Sequence, residues 1–68
     1  MNEKMLTDYL TLLLDQKIAE LSKISDDNWN WYQSNGYSEL TSQRFYGTHL
    51  GATDGIKALK DIKSRMGL

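Results

Sequence analysis

The chain contains no cysteine and no proline, has a single histidine, and carries no apolar run longer than Leu12-Leu13-Leu14. Without cysteine there is neither a disulfide framework nor a thiolate metal site, and a reducing, cytoplasmic setting is the expectation. Three consecutive apolar residues fall far short of the roughly 18 or more that cross a bilayer, so no membrane partner is expected. Met1-Asn2-Glu3-Lys4-Met5-Leu6 lacks a cationic lead followed by a long apolar segment and does not read as a secretory signal. The expectation is therefore of mature protein throughout.

At 68 residues the chain permits one helical domain, 1–68, at the lower limit of what folds without disulfides, metals or association. Oligomerisation is an expectation from size alone. Charge is nearly balanced overall but unevenly placed. Residues 1–40 carry seven acids against three bases, and residues 41–68 carry five bases against two acids. Two halves of opposite sign attract one another. A slightly acidic chain also lacks the concentrated positive surface that phosphate binding normally needs.

What is present is helical periodicity on either side of one punctuation mark. There is no low-complexity segment or internal repeat. Asn35-Gly36 tolerates positive φ, as a helix C-terminus or a tight turn requires, and Ser38 or Thr41 can cap a second helix. Before it, Leu6, Leu10, Leu13, Leu14, Ile18, Leu21 and Ile24 recur at three- and four-residue steps with charged residues mostly between them. Ser25-Asp26-Asp27 can end this helix and cap a short new one, or the helix can run through to Ser34. After the turn, Gly47, Gly51, Gly55, Ala58, Leu59, Ile62 and Met66 share one broad side at about 100° per residue.

The fold class predicted is all-α: an antiparallel hairpin of two long helices, the first with an open question of a break near residues 25–28, assembled into a homo-oligomeric helical bundle. Folding back at Asn35-Gly36 sets Ile24 and Leu21 near Gly51 and Gly55, and Ile18 and Leu14 near Ala58 and Ile62. Leu21, Ile24, Gly47, Gly51, Gly55, Ala58 and Ile62 are accordingly the candidate packing residues. Each interior glycine costs about 0.8 to 1 kcal/mol relative to alanine, so three cost roughly 2 to 3 kcal/mol. That is a large share of the order of 5 kcal/mol that a small domain has. Close packing must offset the cost, or the segment from Gly47 to Gly55 is a loop. Phe45, Ala52 and Ile56 follow a stripe beside the glycines, and Tyr46 and Leu50 lie on another side, more than one hairpin partner covers easily. A second chain in a two-fold helical bundle, a homodimer or higher assembly, is expected on that ground.

The chemical readings are weak. Glycines four residues apart do not resemble a phosphate loop, which uses closer glycines or ends in Gly-Lys-Ser/Thr. His49 has no evident partner, since Asp54 does not share its helical face well, and it reads as a surface or interface histidine rather than a general base. Asp26-Asp27 suits a helix start more simply than catalysis. No metal-ligand spacing occurs. No catalytic residue, metal or cofactor is assigned.

Six of the seven aromatics lie near the turn, and Trp29, Trp31, Tyr37, Phe45 and Tyr46 are the candidate partner-binding residues, because aromatics bury much surface for few rotatable bonds. A small aromatic core closing the hairpin, or a small-molecule pocket between the helices, are the other readings. Lys57, Lys60, Lys63 and Arg65 are the candidate nucleic-acid contacts, although cations near a helix C-terminus are favourable for their own reasons. The composition resembles that of many short accessory proteins of bacteria and phages, a likeness that names no activity. The functional expectation is a non-enzymatic module that associates with itself and binds a larger protein as regulator or inhibitor. The alternative is a small nucleic-acid-binding regulator.

Overall fold

The computed structural model describes residues 2–34 and 40–68, apart from the side chain of Thr41. The expected Asn35-Gly36 turn, the capping roles of Ser38 and Thr41, and Tyr37 lie outside the described residues.

Helix α1 runs over Glu3–Ser34, 32 residues, and helix α2 over Leu40–Arg65, 26 residues. They pack against each other as an all-α hairpin, 52 Å long and 16 Å wide. Neither helix is long and apolar enough to cross a membrane. Asn2 caps α1, its Oδ1 accepting from the Met5 amide at 2.8 Å. Gly67, at φ +75°, ends α2: the Leu68 amide reaches back to the Lys63 carbonyl at 2.9 Å and the Gly67 amide to that of Ser64 at 3.1 Å. That paired closure needs a left-handed residue, which glycine supplies without strain.

The question of a break near residues 25–28 is answered by an unbroken α1. Each polar residue there is occupied in a way compatible with helix. Ser25 turns inward, Asn28 Nδ2 donates to the Ile24 carbonyl at 2.7 Å, and Asp27 pairs with Lys23 at 2.9 Å. The threonines behave alike, with Thr7, Thr11, Thr48 and Thr53 each donating to the carbonyl four residues back. Gly47–Gly55 is helix, so the loop alternative falls.

The buried seam is a heptad on both helices. In α1 the buried or half-buried positions include Thr11, Leu14, Ile18, Leu21, Ser25, Asn28 and Tyr32, and in α2 they include Ser42, Phe45, His49, Ala52, Ile56, Leu59 and Lys63. Steps alternate between three and four residues throughout, the spacing of a seam between two paired helices. The expected register is observed, since Leu21 lies against Gly55. The expected face is not. Gly47 and Gly51 are exposed with open space where a side chain would project, and Ile24, Ala58 and Ile62 are exposed as well. Only at Gly55 would a Cβ meet the other helix, 3.0 Å from Leu21 Cδ1. Conversely Phe45, Ala52 and Ile56, expected to need a second chain, face α1 in the hairpin itself.

Candidate functional site

The most developed polar arrangement lies mid-seam, where α1 offers Ser25 and α2 offers His49 and Thr53. Ser25 continues the heptad that runs through Ile18 and Leu21, so helical periodicity points its hydroxyl at α2. His49 Nδ1 stands 2.8 Å from Ser25 Oγ and 3.0 Å from the Ser25 carbonyl. Ser25 Oγ lies 3.3 Å from Thr53 Oγ1, which donates to the His49 carbonyl at 2.9 Å.

Proton accounting fixes the direction of this chain. A carbonyl only accepts, so Nδ1 carries the proton and donates toward Ser25. Thr53 spends its proton on the His49 carbonyl, so the Ser25 hydroxyl donates to Thr53. The Nδ1–H of His49 is shared between the Ser25 carbonyl and Oγ, the Ser25 hydroxyl donates to Thr53 Oγ1, and Thr53 donates back to the His49 carbonyl.

A serine 2.8 Å from a histidine invites a nucleophile–base reading, and the geometry opposes it. The facing nitrogen is already protonated and cannot take the serine proton. Ser25 is 6% exposed, closed to a substrate. Its position inside α1 commits the neighbouring amides to helical bonds, leaving no donors for a developing oxyanion. The pair acts as a polar layer within the seam. The sequence read His49 as a surface or interface histidine and identified no partner for it; it lies at the helix interface, and its partner is 24 positions away on the other helix. Heptad continuity through Ser25 and His49 was the signal that could have found it.

Around this layer the aromatics divide into two groups. Trp29, Tyr32, Tyr46 and His49 form one cluster, with Trp29 5.1 Å from His49 and Tyr32 4.9 Å from Tyr46 between ring centroids. Trp31 and Phe45 form the other, 5.5 Å apart. Of the candidate partner-binding residues, Trp29 is 36% and Trp31 49% exposed, while Phe45 and Tyr46 are half-buried. Both the small-core and the partial-exposure readings therefore describe part of the cluster. Ser42, at the aromatic end, is fully buried and its hydroxyl has no partner among the described residues.

The candidate basic group is partly engaged. Lys63 pairs with Asp15 across the seam at 2.7 Å, the attraction expected between halves of opposite charge, and Arg65 pairs with Asp61 at 2.8 Å. Lys57 and Lys60 are exposed. A shallow open groove at the free end is lined by Asp15, Ile18, Lys60, Lys63, Ser64 and Leu68. On α1, Asp27 hydrogen-bonds Lys23 and, by its charge as well, holds that ammonium above its ordinary pKa. Among the described residues no group of three His, Cys, Asp or Glu side chains is placed to hold a metal ion.

No family model, curated protein or solved structure matches the chain.

Proposed function

We propose that the protein is a non-enzymatic interaction module that associates with itself and docks on a larger protein as a regulator or inhibitor. One observation supports this above the others. Among the described residues the hairpin buries Ala52 as its sole apolar core residue, while twelve large apolar side chains stay exposed by a third or more. Scattered surface leucines are ordinary, but several such side chains sharing one flank favour an interaction site. The seam chemistry fits the same reading, because its one serine–histidine pair is arranged to hold the helices together.

Trp29 is the contact assigned to the larger protein. It is partly exposed and backed by Tyr32, Tyr46 and His49, the arrangement of a large anchor on a rigid support. The test is affinity capture by the immobilised full chain from its native host, with and without nuclease, followed by mass spectrometry. A specific protein retained by wild type and lost with Trp29→Ala, at unchanged helicity by circular dichroism, is expected. Retention that disappears with nuclease treatment would replace this reading with the nucleic-acid alternative.

A further inference from the structure

The exposed apolar residues are not spread evenly around the hairpin. At about 100° per residue, Leu6, Leu13, Ile24 and Trp31 fall on one flank of α1, and Ile62 falls on one flank of α2. These five are 42% to 49% exposed. The Leu21–Gly55 approach and the Trp31–Phe45 ring contact show that the two flanks adjoin on the same side of the seam. The other side carries Asp8, Asp15, Lys57, Lys60 and Ser64 together with the exposed Trp29 and Leu50, and is more mixed in character.

Surface area measures how far this elongated hairpin departs from a compact monomer. A folded monomer of 7.8 kDa exposes about 4,400 Å² by the usual scaling of surface with mass. This chain exposes 5083 Å², an excess of about 700 Å². A whole side of the hairpin, 52 Å by 16 Å in overall extent, offers at most roughly 800 Å² to a flat partner, the share one protein contributes to a standard stable interface.

We infer that a second copy of this chain covers the apolar flank, giving a two-fold four-helix bundle with α1 of each copy lying over α2 of the other. The inference rests on the interaction-module reading and names one occupant of its surface. A second copy presents the same elongated flank, so the two match in length and polarity by construction. Charge selects the arrangement: α1 has six acids against three bases and α2 has five bases against two acids. Stacking α1 over α2 gives every helix neighbours of opposite sign, whereas α1 over α1 sets like charges together. Gly51 and Gly55 border the flank and leave room for the apposed helix.

The test uses the full chain and two lysine variants at residues of similar exposure. Ile24 lies on the flank at 42% exposed, and Leu12 points away from both the seam and the flank at 53%. Light scattering after size exclusion at micromolar concentration is expected to give twice the 7.8 kDa chain mass. Ile24→Lys weakens association by about tenfold or more, as expected for a charge placed in an interface centre, while Leu12→Lys leaves it unchanged. Where dissociation also unfolds the hairpin, the same contrast appears in the concentration at which helicity is lost on dilution. A folded wild-type monomer, an assembly larger than two, or equal shifts for the two variants would overturn the inference. A monomer that still retains its host protein removes the second copy and leaves the docking reading. A dimer that retains no host protein does the reverse.

Discussion

The two halves of the seam are built from different materials. Toward the free end, Leu14, Ile18 and Leu21 face Ile56, Leu59 and the stem of Lys63, an ordinary aliphatic contact. Toward the turn, Ser25 and Asn28 face Ser42, His49 and Thr53, with aromatic rings on either side. The aliphatic half can slide by one heptad without large loss, because one leucine is much like another. The polar half cannot. The Ser25 and Thr53 hydroxyls and the His49 imidazole satisfy one another only in the observed register, and a slip breaks that chain. A polar residue in a helical seam is known to trade stability for a single pairing, and here a whole layer occupies that place.

The largest expected effect lies in the aliphatic half. Leu21→Ala removes the side chain packed on Gly55 and is expected to cost about 2 kcal/mol, at the low end for leucine because the site is only half-buried. Against a total of order 5 kcal/mol, urea denaturation shows a clearly lowered midpoint. A midpoint within experimental error of wild type contradicts the division of labour.

Next is His49→Leu, which keeps the heptad and removes the polar key. Stability changes by no more than about 1 kcal/mol, since Ser25 still reaches Thr53. What is lost is uniqueness, seen as additional sets of amide signals in a nitrogen–proton NMR spectrum. A single sharp set identical in number to wild type counts against the layer as a register device.

Ser42→Ala sharpens the comparison from the other direction. Its hydroxyl is fully buried and unpartnered among the described residues, so alanine is expected to raise stability by about 1 kcal/mol, whereas Ser25→Ala lowers it. Thermal melts of the two variants should move in opposite directions, and parallel shifts would show that buried position alone governs both.

The glycines divide in the same manner. Gly47→Ala meets open space and is expected to gain close to the full glycine-to-alanine difference of about 0.8 kcal/mol, read as a raised urea midpoint. Gly55→Ala gains less, because its Cβ forces Leu21 to move. Smallest is Asp15→Asn, expected to cost a few tenths of a kcal/mol and to lose even that in high salt, since the Lys63 pair is largely exposed on the aspartate side.

Much of the fold was legible in the sequence. The leucine periodicity, the glycine and alanine spacing and the Asn35-Gly36 mark are local signals, and each helix follows from them without knowledge of the other. Register was legible too, because counting back from a turn between helices of fixed rise leaves little freedom. Which face turns inward was not. Apolar periodicity and small-residue spacing selected Ile24, Ile62 and the glycines over Ser25, Asn28, Ser42 and His49. The weaker-looking set prevailed because the heptad runs through it unbroken on both helices, and Ser25 and His49 meet across the seam.

The sequence by itself determined two helices, their approximate lengths, their opposite charges and their order of pairing, since these depend on neighbours three or four residues apart. Only the tertiary structure decided the rotation of each helix about its axis. That choice depends on whether Ser25 meets His49 and Leu21 meets Gly55, contacts between residues 24 and 34 positions apart that no local periodicity contains. The same rotation left the apolar flank outward, and with it the surface on which a second copy is proposed to lie.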